Sequence, residues 1–267
     1  MSIQQDFDRL ALVSEDGASH NDHYHNFLLR HLPSTCHNAL EIGCGTGTFA
    51  RLLAERSEHV LALDLSPEMI RIARERSLPT LPPHEWGESG SGKDQPGPSS
   101  PLGQFSNIEF KLADVSNYPL PAESFECIAS IATLHHLPLR DILLKMKAAL
   151  KPGGVLLILD LFEPAGLSDY LLNFVALTVS VGLRFKNYGR LRRRPEVVAA
   201  WAAHEVHDLY PTMRDVHTLC AEILPGAEIK KHLLWRYSIV WHKPATDEVS
   251  TTTRTGVPDA AAALGWW

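Results

Sequence analysis

Cysteine is scarce in this chain, and the four residues Cys36, Cys44, Cys127 and Cys220 form no CxxC pair and no metal-like spacing. A disulfide framework is thereby excluded and a reducing, intracellular setting is expected. An excess of positive charge is also lacking. The chain has 25 basic against 31 acidic residues, a formal net charge of −6, so its overall balance attracts it neither to nucleic acid nor to an anionic membrane. Small molecules are the expected partners. Long apolar runs are missing too, since the 14-residue stretch Tyr170 to Leu183 is too short to span a bilayer. The opening MSIQQDFDRLALVSEDGASH places acidic residues where an export signal needs a basic start and an apolar run, and a cytoplasmic location is expected.

What is present is enough for one sizeable core, with 267 residues of which 45% are hydrophobic. Strand-like and helix-like stretches alternate along it. Ala39 to Gly43 is a short apolar run ending in glycine, and Thr48 to Ser57 then carries Phe49, Leu52, Leu53 and Arg56 at helical spacing. HVLALDL follows as a second strand ending near Asp64, with Ser66 and Pro67 placed to cap and open a helix. Asn107 to Leu112, Phe125 to Ala132 and Val155 to Leu161 read as three more strands, the last entered through a Pro152-Gly153-Gly154 turn. Glu228 to Leu234 and Arg236 to His242 form a terminal antiparallel hairpin at one edge. The alternation implies a mostly parallel sheet with helices on both faces.

Two segments interrupt this order. Residues 79–105, rich in glycine, proline and serine, form a flexible insertion with no catalytic duty, expected where strands begin and away from the ligand edge. Residues 164–211 have room for two or three helices and are expected to hang over the active edge. Within them, Tyr170 to Leu183 followed by RFKNYGRLRRR reads as a lid helix with a solvated basic end, or as a helix lying on a membrane or gripping an anion.

The chemistry concentrates in Glu41-Ile42-Gly43-Cys44-Gly45-Thr46-Gly47, a glycine turn between strand and helix. Glycines let the backbone take otherwise forbidden angles and let a ligand approach without a Cβ. A dinucleotide fingerprint would read GxGxxG, whereas here the third glycine comes one residue early. Asp64 ends the second strand at the distance where nucleotide-binding folds place a carboxylate on the ribose hydroxyls. Read alone, the glycines could only make a tight turn, and Asp64 and Asp114 could only cap a helix and a turn.

Glu41 through Gly47 resembles the E-x-G-x-G-x-G motif of class I S-adenosylmethionine-dependent methyltransferases. Asp64, Ala113-Asp114-Val115, Phe125 through Leu137 and LKPGGV from Leu150 resemble four further motifs of that family, in order, over roughly residues 20 to 160. The nearest general similarity is to the small-molecule branch that includes quinone and natural-product methyltransferases. The resemblance implies an α/β fold: a three-layer, Rossmann-like, seven-stranded, mostly parallel sheet with an antiparallel last strand and a helical insertion after strand five. It implies an N-terminal lid or helical segment over residues 1–36, a methyltransferase domain over 37–243 and a disordered tail over 244–267. S-adenosylmethionine is the implied cofactor, with S-adenosylhomocysteine as product. Its implied contacts are Tyr24, Glu41, Gly43, Cys44, Gly45, Gly47, Asp64, Leu65, Asp114, Val115 and Ile131.

Methyl transfer needs positioning more than proton chemistry, but a base helps when the acceptor is a hydroxyl or protonated amine. Among 14 histidines, His135 and His136 follow strand four at the edge where cofactor and acceptor meet, and His135 is the catalytic candidate; local packing is the other reading. His20, His23 and His25 have a spacing that raises a metal site, but no cysteine or carboxylate completes a set, and none is assigned. Glu163, His204 and His207 could also face the acceptor. The expected reaction is O- or N-methylation of a hydrophobic or aromatic metabolite. C-methylation, an inactive cofactor-binding protein and a nicotinamide oxidoreductase are the alternatives.

Overall fold

The computed structural model describes residues 3–13, 21–78, 105–165, 176, 179–182, 185, 194–204 and 210–245. The insertion at 79–104, most of 164–193, His20, His207 and the tail from 246 lie outside them, and the expectations for those segments go with them.

The inner strands form where apolar runs are buried on both faces, whereas the edge strands β3 and β6 are largely exposed or half-buried. They are β1 (Asn38–Ile42), β2 (His59–Asp64), β3 (Ile108–Leu112), β4 (Phe125–Ile131), β5 (Leu150–Leu161), β6 (Glu228–His232) and β7 (Arg236–His242). They make one seven-stranded sheet in the order β3-β2-β1-β4-β5-β7-β6. The first five run parallel, and β7 is antiparallel to both β5 and β6. The chain leaves β1 toward β2 and β3, then returns to lay β4 on the other side of β1. That reversal opens a crevice at the carboxyl ends of β1 and β4, where such sheets take ligands.

The sheet separates two apolar layers, because alternate residues of a strand face opposite sides. Ile128 and Leu156 meet α5 (Leu139–Ala149) and a later helix (Met213–Ile223), whereas Ala129 and Leu157 belong with α2 (Asp22–Leu29), α3 (Thr48–Ala54) and α4 (Pro67–Ser77). α1 (Ile3–Val13) lies outside this sandwich, against α4 and α6 (Pro195–His204). The helix Met213–Ile223 is α7. Among the described residues, no helix is long and apolar enough to cross a membrane.

Local signals explain most boundaries. Ser66 Oγ accepts a hydrogen bond from Met69 N at 3.1 Å and Pro67 opens α4, as read from the sequence. Two boundaries differ most from expectation. α3 stops at Ala54 rather than Ser57, where the Arg56 amide turns back to the Leu53 carbonyl. β5 begins at Leu150 rather than Val155, so Pro152–Gly154 is not a turn before the strand but a bulge within it. Gly153 takes φ 77°, its amide donates to the Lys243 carbonyl at 2.8 Å, and the Lys243 amide donates to Gly154 at 2.9 Å. β7 therefore secures a stretch whose local sequence reads as a turn.

α7 opens on a reciprocal cap. Thr212 Oγ1 accepts from Asp215 N at 3.2 Å while Asp215 Oδ2 accepts from Thr212 N at 3.1 Å. Thr212→Ala is expected to destabilise the protein by about 1 kcal/mol, read as a lower midpoint in urea unfolding with an unchanged slope.

Candidate active site

The loop after β1 is pinned to β2, with the amides of Gly43 and Cys44 both donating to the Leu63 carbonyl, at 2.8 and 3.0 Å. Gly43, Gly45 and Gly47 all take left-handed angles, φ 73°, 51° and 77°, which cost L-residues with a Cβ about 1–2 kcal/mol. Their surroundings differ. A Cβ on Gly43 would lie 2.0 Å from Thr133 Oγ1, and one on Gly47 would lie 2.9 Å from the Phe110 ring. At these two positions the missing Cβ makes room for neighbouring protein. Only at Gly45 does an added Cβ meet nothing within 4 Å. Cys44, 6% exposed, points into the core.

Two acids flank the loop. Glu41, on β1, is 1% exposed, and its Oε2 has no partner among the described residues. Burial pushes its pKa well above the usual carboxylate value, and the nearby Asp64 adds to the shift against the opposing pull of Arg51. Asp64, at the end of β2, accepts from Gly45 N at 2.8 Å and from Ser66 N at 2.9 Å. Its pKa is raised by burial, with the Ser66, Gly45 and Leu65 amides working the other way and Asp8 adding repulsion. Asp8 arrives from α1, where it accepts from Ser66 Oγ at 2.5 Å and from Glu68 N at 3.4 Å. α1 is thereby tied to the start of α4 beside Asp64.

Asp114 stands beyond β3, whose exit is held by Ala113 N donating to the Asp64 carbonyl at 2.8 Å. It is exposed and closes its own turn, accepting from Ser116 N at 2.9 Å and Asn117 Nδ2 at 2.8 Å. Val115 is buried, while Leu65 and Ile131 are half-buried at the ends of β2 and β4. Tyr24 donates its hydroxyl to the Leu233 carbonyl at 2.7 Å and tilts against His232, which fastens α2 to the β6–β7 turn.

On the other side of the crevice, Ala132 leaves β4 at φ 51°, and a single 3₁₀ turn, Leu134–His136, follows. His135 is held twice by Asp160 of β5: its amide donates to Oδ2 at 3.0 Å, and its Nδ1 lies 2.6 Å from Oδ1. A proton on Nδ1 facing the carboxylate leaves the neutral ring with its lone pair on Nε2. Aromatic rings gather around this dyad. Tyr210 lies 5.0 Å from His135, His204 of α6 lies 4.9 Å from His136, and Phe7 of α1 touches both His136 and His204. α6, part of the 164–211 segment, thus reaches the active edge. Glu163 is exposed and bridges to Thr212 instead. His25 is buried against Phe49 whereas His23 is exposed, so the two do not converge.

The family model described as Methyltransferase domain matches residues 40–158, the span from β1 through most of β5. An uncharacterized methyltransferase of Mycobacterium bovis is 26% identical over 230 residues, covering 84% of this chain and 96% of its own. The chain is a class I S-adenosylmethionine-dependent methyltransferase. A ubiquinone biosynthesis O-methyltransferase of Xylella fastidiosa is 30% identical over 182 residues, 67% of this chain and 64% of its own. Among solved structures, the N-methyltransferase NodS of Bradyrhizobium japonicum, bound to S-adenosylhomocysteine, shares the fold with a TM-score of 0.54 at 17% identity, over 91% of this chain and 100% of its own.

The methyltransferase uses S-adenosylmethionine, and the site suits it. The open face at Gly45, the unmatched Glu41 Oε2 and the Asp64 carboxylate offer room, an acceptor for an ammonium and an acceptor for a diol. Sequence reasoning did not single out Asp160, Asp8 or Thr133. Only Asp160 left a signal, as a carboxylate ending the run VLLIL at the ligand edge.

The glycines differ in what their replacement should do. Gly47→Ala is expected to lower stability by about 1–3 kcal/mol through overlap with Phe110. Gly45→Ala should cost the fold less yet weaken S-adenosylhomocysteine binding at least about tenfold; calorimetric titration and thermal unfolding of both variants separate the two effects. Because folded Glu41 holds its proton above the unfolded value of 4.5, the folded state binds more protons than the unfolded one from there upward, and stability falls as pH rises. Ligand-free Glu41→Gln is therefore expected to melt higher than wild type at pH 7–8 while binding S-adenosylhomocysteine more weakly. A lower melting temperature would show that the buried carboxylate is not destabilising.

Proposed function

We propose that the enzyme methylates an oxygen or nitrogen of a hydrophobic or aromatic small molecule, with His135 accepting the proton that the acceptor loses. The observation that carries this reading is the Asp160–His135 pair at the carboxyl ends of β5 and β4, beside the glycine loop and among Phe7, Tyr210 and His204. Glu41 would receive the cofactor's ammonium, Asp64 its ribose hydroxyls and Asp114 its adenine amine. Gly43, Cys44, Gly45 and Gly47 would shape the loop beneath it. Leu65, Val115 and Ile131 would supply apolar contact, and Tyr24 would add the face of its ring. When bound, S-adenosylmethionine supplies a methyl group on a cationic sulfur, open to in-line attack. Asp160 fixes the imidazole tautomer, so Nε2 is the basic nitrogen, and a hydroxyl held against it is the better nucleophile. The aromatic neighbours exclude water and favour a flat acceptor. The O-methyltransferase relative supports transfer to oxygen.

Two experiments test this. Asp64→Ala should weaken S-adenosylhomocysteine binding by about 1–3 kcal/mol through lost diol contacts, and unchanged affinity would remove Asp64 from the site. With methyl-labelled donor and an extract of the source organism, wild type should yield a labelled small molecule. His135→Ala should lower its formation about 10²–10⁴-fold with cofactor affinity kept. Persistent absence of labelled product would point to a cofactor-binding protein without transfer activity, and a methyl group found on carbon would point to C-methylation.

A further inference from the structure

Arg236 opens β7, paired with Leu161 and one residue from Tyr237, the partner of Asp160. It is a half-buried cation, and burial lowers its pKa against the pull of Asp160, Tyr24 and Tyr210. A guanidinium remains charged even so. Of its five N–H donors, Nε serves Asn21 Oδ1 at 2.7 Å and Nη1 serves the Leu234 carbonyl at 3.0 Å. It forms no ion pair with any described residue. Asp160 attracts the cation without bonding it, because Asp160 Oδ1 takes His135 Nδ1 and the Leu161 amide while Oδ2 takes the His135 amide.

Nη2 makes no bond among the described residues, and it is absent from the sealed polar atoms lacking a partner, which include Glu41 Oε2 and Asp6 Oδ2. This end of the guanidinium is therefore not sealed in by the protein. A partly desolvated cation that makes no ion pair gains when a ligand brings an opposite charge to its free donors. We propose that Arg236 anchors a carboxylate of the methyl acceptor, making the substrate an anionic small molecule such as an aromatic acid.

The cofactor's own carboxylate is the other source of the same chemistry, since Asn21 and Tyr24 stand beside Arg236, but the sheet order favours the acceptor. The glycine loop follows β1, and the order β1-β4-β5-β7 puts Arg236 three strands away, about 14 Å at ~4.8 Å per strand. The acceptor half of the crevice, at β4 and β5, lies between them. Pairing a planar guanidinium with a carboxylate also fixes the orientation of the acceptor, which His135 alone would not do.

The proposal rests on the methyl-transfer reading, and one set of measurements keeps the two apart. S-adenosylhomocysteine is titrated into wild type and Arg236→Gln, and both proteins are incubated with methyl-labelled donor and extract of the source organism. The labelled product is then passed over an anion exchanger at pH 8. The expected result is a retained, anionic product whose formation drops at least about tenfold in Arg236→Gln and recovers in part in Arg236→Lys. S-adenosylhomocysteine affinity should stay within about twofold of wild type. A neutral or cationic product overturns the proposal while leaving methyl transfer standing. An unchanged yield of anionic product in Arg236→Gln overturns it as well. A loss of S-adenosylhomocysteine affinity in that variant assigns Arg236 to the cofactor's carboxylate instead. Failure of wild type to bind S-adenosylhomocysteine, or to label anything, counts against the function itself.

Discussion

The Asp64 carboxylate accepts amides from two neighbouring loops, Gly45 from the loop after β1 and Ser66 from the turn into α4, and the glycine-loop side of the crevice depends on that pairing. Parallel strands have no direct link between their carboxyl ends, so two neighbouring loops would otherwise choose their own geometry. One half-buried carboxylate between them sets the height of Gly45 above the sheet and fixes where α4 starts. Asp8 extends the arrangement through Ser66 Oγ, so that α1 is positioned by the same few atoms that shape the loop beneath it. The raised pKa of Asp64 shows that its three amide donors do not fully offset burial and the negative charge of Asp8.

Across the crevice a second carboxylate plays an equivalent part. Asp160 ties the turn after β4 to the end of β5 through backbone and side chain of His135 at once. This side of the crevice is thus organised by an acid on one strand and a ring beyond the next. The two halves meet where Thr133 occupies the space beside Gly43. The first glycine of the motif is therefore a joint between β1 and β4, and only the middle glycine faces open space.

Much of this was legible from local pattern. The β1–α3 and β2–α4 units, the Ser66–Pro67 helix start, the terminal hairpin and the acid at the end of β2 all rest on interactions within a few residues of one another, which sequence spacing records directly. Features that depend on remote partners were not. The bulge at Pro152–Gly154 exists because Lys243 pairs with it, and the crowding at Gly43 and Gly47 comes from Thr133 and Phe110, each more than sixty residues away. Asp160 and Arg236 were missed for the same reason. A charged residue at the end of an apolar strand reads as a terminator facing solvent, and only the sheet order reveals that both ends lie over the ligand crevice.

The β6–β7 turn shows how far that remoteness extends. Leu234 and Trp235 both sit in the left-handed region, at φ 62° and 59°, where asparagine and glycine are the usual occupants. Leu234 is nevertheless 2% exposed, and the preceding carbonyl receives the Tyr24 hydroxyl across 209 residues. The turn is thus unfavourable on its own and is held by the opposite end of the chain. On the ribosome α2 must wait for the 209 residues that separate Tyr24 from Leu233 before it finds this seat. Closure of this hairpin is then slow to form relative to the local β1–α3 and β2–α4 units, and this side of the crevice takes shape only after β7 has been made.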